Sequence, residues 1–438
     1  MRFILAGKSR VWFVIAVASL LGVFTCVFLL PVRFFATFKS VTGPLDHSVY
    51  VWQRNWGEPV RTAVRNAANE VSGFVVLVGE ISWNSGEMKF VSADTDYRLL
   101  AELQKPVGIA LRVGPYPDKF TPGGKAVTHI ADISRSLVNK AAANGLAISE
   151  FQLDFDCPES KLNSYRHLLE GLRGSIGDVP LTITALPSWL KHRSFTRLAK
   201  LTDGYVLQVH SLERPKSIDE PMVLCNRESS LIWVRQAGRI GVDFRVALPT
   251  YGYYVAFDVG GKFKGLIAEG QSRSWDCQTR LVKVSSNPTK MAGLVSAWKA
   301  NRPACMKGII WYRLPVEGDE LNWPSVTLST IIAGKVLLNS LRVEIDYPSK
   351  GLAEIMLVND GHTDQRSDLP INVECPQEKI IACDGMRGYS MVNRTTDGFV
   401  MEHDSSKEFS TIRPGQRLKT GWIRLEHEME IKAYVDQR

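Results

Sequence analysis

The segment ISEFQLDFD, residues 148–156, alternates apolar and polar side chains and ends with two aspartates. Successive side chains of a β-strand point to opposite faces, so one face of this segment is apolar and the other carries Gln152, Asp154 and Asp156. We interpret it as a buried strand whose carboxylates emerge at its C-terminal end. The segments on either side indicate which kind of sheet contains such a strand.

Strand-like and helix-like segments alternate along residues 48–340. The strand-like segments are rich in Val, Ile, Leu and aromatic residues, and the helix-like segments have apolar residues at spacings of three and four. The strand-like segments are 48–56, 73–83, 106–114, 148–156, 179–189, 203–212, 243–252 and 305–315. Eight βα units predict a parallel (β/α)8 TIM barrel, which typically needs about 250 residues plus insertions. An open doubly wound sheet is the alternative.

The sequence pattern changes after Gly334. Short alternating segments such as LRVEIDY and EIMLVND follow one another, separated by Gly, Pro, Asn and Asp. This pattern is typical of an antiparallel β-sandwich. We therefore predict that the barrel occupies residues 48–340 and that an accessory β-sandwich domain occupies residues 341–438.

The N-terminal region contains a long uncharged segment. Residues 1–10 carry Arg2, Lys8 and Arg10, and residues 11–32 contain no charge. At about 1.5 Å per residue, a helix of this length crosses a hydrocarbon core of about 30 Å, and the basic residues favour a cytoplasmic N-terminus. We expect a single-pass signal-anchor in the inner membrane and a linker at 33–47, with the rest exported to the periplasm or cell exterior. Secretion after cleavage at Ala36 is the alternative.

The composition is that of a globular protein, with 45% hydrophobic and 22% charged residues. Basic residues exceed acidic ones by 53 to 45, but they are scattered, so we predict no nucleic-acid partner. The six cysteines that follow Cys26 have no spacing typical of a zinc site, and we predict no metal and no cofactor. Their even number permits disulfides in an exported chain, without indicating the pairing. The oligomeric state is not indicated either.

Polar and aromatic residues recur near the ends of several predicted strands. Barrel enzymes place their active sites at the C-terminal ends of the strands, where these side chains would meet. The polar candidates for substrate binding are Glu80, Arg112, Gln208 and His210. The aromatic candidates, whose flat faces can cover the C–H faces of a sugar, are Trp56, Trp83, Trp189, Tyr251 and Trp311. The set predicts a polysaccharide or oligosaccharide ligand.

Three motifs resemble those of known families. VALPTYG, residues 246–252, resembles the seventh-strand motif of the chitinase-like, family-eighteen glycoside hydrolases. LDFD, residues 153–156, resembles the end of their fourth-strand Asp-x-x-Asp-x-Asp-x-Glu motif, and Trp311 matches the tryptophan at the floor of their sugar site. The whole arrangement more closely resembles an uncharacterised bacterial family of exported barrel proteins with a domain of unknown function. Its C-terminal β-domain has a segment like IMLVNDG, residues 355–361.

The chitinase resemblance implies a catalytic glutamate that protonates the leaving oxygen, with the substrate's acetamido group as nucleophile. Alignment puts Pro158 at the position of this glutamate and Glu159 one residue later. We expect Asp156 and Glu159 as general acids, and Asp154 to position the substrate or to tune their pKa values, because adjacent carboxylates raise each other's pKa.

Three hypotheses for the function follow from these observations. The first is a glycoside-hydrolase-like enzyme that acts on a cell-envelope or secreted polysaccharide. The second is a non-catalytic carbohydrate-binding or scaffold protein that has lost the acid. The third is a divalent-metal site for deacetylation or phosphoester chemistry.

Overall fold

The structure is a computed structural model that describes residues 39–211, 214–267, 275–407 and 410–435. The predicted membrane helix at 11–32 lies outside these ranges. Within them, no helix combines the length and the apolar character needed to cross a membrane.

Within the described ranges, eight parallel strands close into a barrel. They are β1 Asp46–Val51, β2 Gly73–Asn84, β3 Val107–Val113, β4 Glu150–Phe155, β5 Leu181–Ala185, β6 Gly204–Gln208, β7 Phe244–Pro249 and β8 Met306–Tyr312. Each strand pairs with the next along the chain, and β8 pairs with β1, with Ile309 opposite His47. The predicted barrel is confirmed. The alternative of an open sheet is wrong, because the pairing of β8 with β1 closes the sheet.

A helix follows each barrel strand in this part of the chain. The helices are α1 Glu58–Ala67, α2 Tyr97–Glu102, α3 Lys125–Ala143, α4 Leu162–Ile176, α5 Arg193–Ala199, α6 Arg227–Gly238, α7 Pro288–Ala300 and α8 Ser325–Ile332. Short 3-10 turns span Glu159–Lys161, Pro187–Lys191 and Gln377–Lys379. Asp96, Asn226 and Asn287 cap helices α2, α6 and α7, because each side chain accepts a hydrogen bond from the backbone N–H three residues later.

The strands separate two apolar layers, as the alternation in β4 predicts. Phe151 and Leu153 point outward and join the larger core, which lies between the strands and the helices. Val75 and Leu77 of β2 belong to a smaller cluster inside the barrel. The polar face of β4 therefore points into the barrel.

A buried ionic layer crosses the barrel interior next to β4. Arg245 Nη2 donates to both carboxylate oxygens of Glu150, each at 2.6 Å, and Thr182 Oγ1 donates to Glu150 at 2.7 Å. Gly108 leaves the space that Glu150 occupies, because a Cβ at this position would lie 2.4 Å from Glu150 Cγ. The carboxylate of Glu150, on β4, is thus bonded to residues of β5 and β7 and packs against β3.

Insertions surround the mouth of the barrel. Strand Glu87–Ser92 pairs with the end of β2, and a three-stranded antiparallel sheet lies between β7 and α7. That sheet contains Gly252–Phe257, Phe263–Ile267 and Arg280–Ser285. A separate short pair joins Ser40–Val41 to Arg302–Pro303. The segment predicted as one seventh strand, 243–252, is therefore interrupted after Pro249, and the chain then enters the insertion.

In its described part, the C-terminal region forms two four-stranded antiparallel sheets and one short strand pair. The first sheet contains Leu341–Ser349, Leu352–Asn359, Arg417–Leu425 and Ile380–Gly385. The second contains Tyr389–Val392, Gly398–His403, Ile371–Glu374 and Lys432–Val435, and the pair joins Gln365–Arg366 to Thr411–Ile412. Both sheets contribute to one apolar cluster. These sheets fit the antiparallel β-domain that the sequence predicts.

The β-domain contacts the barrel within one compact unit, Ser40–Arg438. Arg413 of the β-domain donates to the backbone oxygens of Asp319 and Asn322, at 2.7 and 3.2 Å. Thr327 of α8 donates to the backbone oxygen of His362. The β-domain therefore holds the loop that follows β8.

Candidate active site

A cavity of about 480 Å³ opens at the C-terminal ends of the barrel strands. Six of the residues singled out from the sequence line it: Arg112, Asp154, Asp156, Gln208, His210 and Tyr251. They come from separate strands and loops, and closure of the barrel brings them together. The cavity lies where the barrel prediction places an active site.

Asp154 is held by several polar groups inside the barrel. Its Oδ1 accepts hydrogen bonds from Thr184 Oγ1 at 2.8 Å and from Gln208 Nε2 at 3.3 Å, and its Oδ2 lies 4.0 Å from Arg112 Nε. Burial and the neighbouring charge of Asp156 raise the pKa of Asp154 to about 6, against the opposing effect of these three partners. Asp154 is thus a fixed carboxyl group that titrates close to neutral pH.

Asp156 lies beyond Asp154 at the mouth of the same cavity. No hydrogen bond or ion pair fixes its side chain to another of the described residues. Although Asp156 is accessible to solvent, partial burial by the cavity wall raises its pKa, and the charge of Arg112 opposes this effect. Interacting carboxyl groups titrate as a pair, so we treat the two as a dyad that retains a proton at mildly acidic pH.

A chain of charges borders the dyad on one side. Arg112 Nη1 lies 3.5 Å from Glu80 Oε1, and Glu80 in turn accepts two hydrogen bonds from Arg54, at 2.5 and 3.0 Å. Glu80 does not line the cavity, which differs from its predicted role as a substrate contact. Its charge is paired with the two arginines, and it holds Arg112 near Asp154.

Aromatic rings form the opposite wall. Tyr312 contacts Tyr50 and Trp52 edge-on, with ring centroids 5.7 and 5.4 Å apart, and lies nearly parallel to the ring of His210 at 5.5 Å. The hydroxyl of Tyr50 donates to Gln152 Oε1 at 2.7 Å, which anchors the ring inside the barrel. The cavity therefore has a charged side and an aromatic side.

His210 connects the aromatic wall to a hydroxyl chain. Its Nδ1 lies 3.2 Å from the hydroxyl of Tyr251, which lies 2.9 Å from the hydroxyl of Tyr253. Burial lowers the pKa of His210 to about 4, so the ring is neutral at neutral pH. Nε2 of His210 is buried and has no hydrogen-bond partner among the residues that the structure describes.

Glu159 lies outside the cavity, and its predicted role as an acid needs correction. It begins the turn Glu159–Lys161, where it forms a short hydrogen bond with His192 Nε2 and accepts one from Lys191 Nζ at 3.1 Å. These two hydrogen bonds lower the pKa of Glu159 to about 2, so the group is ionised at neutral pH. An ionised carboxylate tied to two basic groups on the outer surface does not donate a proton to a ligand in the barrel.

Four of the five predicted aromatic contacts also need correction. Trp311 is fully buried and points into the outer core, where its Nε1 donates to His47 Nδ1 at 3.1 Å. Trp56 is 2% exposed in the same core. Trp83 and Trp189 do not line the cavity either. For Trp311 the reason is the parity of β8, because Tyr312, one residue later, occupies the inward position.

Sequence reasoning missed several cavity residues: Tyr50, Trp52, Thr184, Trp233, Tyr253 and Tyr312. The alternation within β1 was a usable signal for two of them, since Tyr50 and Trp52 share one parity. Tyr253 lies in the insertion after β7 and Trp233 in α6, so strand parity carries no information about them. Within the described ranges, no group of three or more His, Cys, Asp or Glu side chains could hold a metal ion, and the six cysteines there are unpaired.

We expect Asp154→Asn to stabilise the fold at high pH. A carboxyl whose folded pKa is raised from 3.8 to about 6 destabilises the protein above that pKa, and this cost disappears as pH falls below 3.8. Removing the charge should therefore raise the unfolding free energy by about 1–3 kcal/mol at pH 8, and by less near pH 4. Thermal unfolding of both proteins at the two pH values measures the difference. An equal effect at both would contradict a raised pKa.

Two family models match the chain. A domain of unknown function (DUF3142) matches residues 124–317, and a second domain of unknown function (DUF8456) matches residues 345–426. The chain therefore carries two domains of unknown function, which confirms the resemblance to barrel proteins with such a domain. Among curated proteins, none matches the sequence.

Several solved structures are similar to this one. The Bacillus cereus spore cortex-lytic enzyme SleL is 10% identical, with 67% of this chain and 75% of that chain covered and a TM-score of 0.44. The chitinase ChiA74 from Bacillus thuringiensis is 9% identical, with 90% of this chain and 100% of that chain covered and a TM-score of 0.42. The GH18 chitinase ChiB from Flavobacterium johnsoniae is 11% identical, with 67% of this chain and 94% of that chain covered and a TM-score of 0.42.

Proposed function

We propose that this chain, which carries two domains of unknown function, is a glycoside hydrolase that cleaves a cell-envelope or secreted polysaccharide by general acid catalysis. The observation that carries the proposal is the dyad in the cavity. Asp154 has its pKa raised to about 6, and Asp156 beside it has a raised pKa and no fixed partner. A carboxyl pair of this kind retains a proton close to neutral pH.

The two carboxyl groups take different roles because their surroundings differ. Asp156 is accessible at the mouth, so it donates its proton to the glycosidic oxygen as the bond to the sugar carbon breaks. Water then adds to that carbon and returns a proton to Asp156. Asp154 is held by Thr184 and Gln208, so it keeps a fixed position beside the acid and orients the substrate. This division replaces the role that the sequence suggested for Glu159.

The aromatic side of the cavity supports a sugar ligand. Tyr312 and Trp52 supply apolar ring surface, and Gln208 and Nε2 of neutral His210 supply polar contacts for hydroxyl groups. Ligand sites are usually lined by apolar and aromatic side chains with a few polar groups that fix orientation. This cavity has both kinds of group on facing walls.

We expect Tyr312→Ala and Trp311→Phe, neighbours on β8, to have opposite effects. Tyr312→Ala should weaken oligosaccharide binding by about 2 kcal/mol, roughly 30-fold, because it removes an aromatic anchor at the centre of the cavity. Trp311→Phe should leave binding unchanged and lower the unfolding free energy by about 1 kcal/mol, through loss of the hydrogen bond to His47. Calorimetric titration and thermal unfolding of both variants measure these effects. Loss of binding in Trp311→Phe would show that the aromatic assignment on β8 is wrong.

A second candidate function is carbohydrate binding without catalysis. The observation that favours it is the position of Glu159, which is tied to His192 and Lys191 outside the cavity. The glutamate that the chitinase resemblance implies is therefore absent from the cavity, whose carboxyl groups among the described residues are Asp154 and Asp156. Glycan binding by the wild-type protein without any turnover would favour this function.

We also propose that residues 11–32 anchor the protein in the inner membrane and that the barrel and β-domain lie in the periplasm or outside the cell. The uncharged segment and the basic residues before it support this topology. Release of a secreted chain after cleavage at Ala36 is the alternative. Protease digestion of intact and lysed spheroplasts, combined with N-terminal sequencing, distinguishes an anchored exported chain, a cleaved one and a cytoplasmic one.

The test of the catalytic proposal is hydrolysis of a panel of polysaccharides by the full-length chain in detergent. The panel should include peptidoglycan, chitin, cellulose and exopolysaccharides, and the readout is new reducing ends. We expect turnover of at least one polymer. Binding without new reducing ends would move the assignment to the non-catalytic alternative, and neither binding nor turnover would reject both. Turnover that chelator abolishes would favour the metal hypothesis.

A further inference from the structure

A second cavity, of about 260 Å³, lies where the barrel meets the β-domain. Ser286 and Trp323 come from the barrel side, and Thr363 and Asp364 come from the β-domain. The volume lies just below the about 300–1,000 Å³ that is usual for sites of drug-sized molecules. A single small ring fits this space better than a large ligand.

Two polar atoms of this cavity have no partner among the residues that the structure describes. Ser286 is 5% exposed, and its Oγ makes no hydrogen bond. Oδ1 of Asp364 is buried and also makes none. Buried polar groups are nearly always hydrogen-bonded, because leaving one unsatisfied costs about 1–3 kcal/mol. A ligand in this cavity can therefore accept a hydrogen bond from Ser286 and donate one to Asp364.

The charges around this cavity have both signs. Lys283 Nζ donates to the backbone oxygen of Glu320 at 2.9 Å. Burial raises the pKa of Asp364, and the positive charges of Arg413 and Lys283 oppose this effect. A ligand with a strong net charge of either sign would meet a like charge here. A neutral ligand with several hydroxyl groups can both donate to Asp364 and accept from Ser286.

One residue, Tyr251, lines both this cavity and the one that contains the dyad. Its hydroxyl contacts His210 and Tyr253 on the active-site side. Its backbone oxygen accepts from Ser286 N at 3.1 Å, and it bridges to Asn322, on the second side. The two cavities therefore share Tyr251 and lie next to each other, so one long-chain molecule can contact both.

We propose that the second cavity is a distal subsite that holds one neutral sugar residue of the polysaccharide whose cleavage occurs at the dyad. Asp364 and Ser286 bind hydroxyl groups of that residue, and Trp323 provides apolar surface beneath it. The inference rests on the proposed function, and it adds that long substrates bind more tightly than short ones. In this proposal the β-domain, in addition to packing against the barrel, forms part of the binding site.

The test measures how affinity depends on ligand length. The full-length chain with Asp156→Asn, which prevents turnover, is titrated calorimetrically with cellobiose, cellohexaose and the di- and hexasaccharides of N-acetylglucosamine. Asp364→Asn and Ser286→Ala are then added separately. Asp384→Asn, an exposed β-domain aspartate outside the cavity, is the matched control, and thermal unfolding verifies that each variant folds.

We expect Asp364→Asn and Ser286→Ala each to reduce the affinity for a hexasaccharide about tenfold or more, and to leave that for the disaccharide unchanged. The control should change neither. An equal loss for both lengths, or no loss for the hexasaccharide, would overturn the inference and leave the proposed function intact. If none of the four probes binds the second cavity or the first, the sugar subsite is rejected, while the polysaccharide panel decides the catalytic proposal separately.

Discussion

Asp156→Asn is expected to reduce kcat for polysaccharide hydrolysis by about 100- to 10,000-fold, the range that a positioned general acid contributes. Asparagine matches the shape of aspartic acid but has no acidic proton, so binding should change little. Asp156 has no structural partner among the described residues, so the variant should fold as well as wild type. Initial rates on the polymer that wild type cleaves, with Asp178→Asn as an exposed control, measure the effect.

The pH dependence of the wild-type rate gives an independent measurement. The acid works only while it is protonated, and burial raises the pKa of Asp156 above that of a free aspartic acid, against the opposing charge of Arg112. We therefore expect kcat/KM to be highest in acidic solution and to fall as pH rises and Asp156 ionises. This alkaline limb should be absent from the residual activity of Asp156→Asn. Full activity in that variant would remove Asp156 from the mechanism.

Glu150→Gln should destabilise the barrel by about 3–5 kcal/mol, since removing one member of a buried ion pair leaves the other charge uncompensated. Glu150 accepts from both Arg245 and Thr182 inside the barrel. The variant leaves Arg245 buried without its counter-ion. Urea unfolding, followed by tryptophan fluorescence, gives the change in free energy.

A second substitution distinguishes loss of a charge partner from loss of shape. Arg245→Met in the Glu150→Gln background removes the uncompensated charge, and we expect it to recover a large part of the stability. Asp132→Asn, which breaks an exposed pair with Arg135 on helix α3, should have little effect. If the double variant is no more stable than Glu150→Gln alone, the penalty does not come from the buried charge of Arg245.

The alternation of polar and apolar residues in the strands predicted much of the architecture and six of the residues that line the cavity. β4 has a regular alternation, so the inward direction of Asp154 followed directly from it. β8 has no such alternation, because MKGIIWYRLP places Trp311 and Tyr312 side by side. Either ring could face the barrel on the sequence alone. The pairing with β1, more than 250 residues away, decides between them.

Contacts between residues distant in sequence account for the other differences. Glu159 is held by His192, 33 residues later, in a loop that begins after β5. Glu150 meets Arg245 across 95 residues. Neither partner is marked by spacing or by local composition, so sequence patterns do not identify them. The position of Glu159 outside the active site therefore could not be predicted, although Pro158 indicates that the strand has ended there.

The pairing of β8 with β1 also sets the order of events during synthesis. The first strand of the barrel has to wait for Tyr312 to emerge before the sheet can close, and such distant pairings form slowly. Arg413 fastens the loop after β8 later still. A nascent chain therefore has no complete dyad cavity until Tyr312 has been made. The proposed hydrolase would therefore remain inactive over that period without an inhibitor.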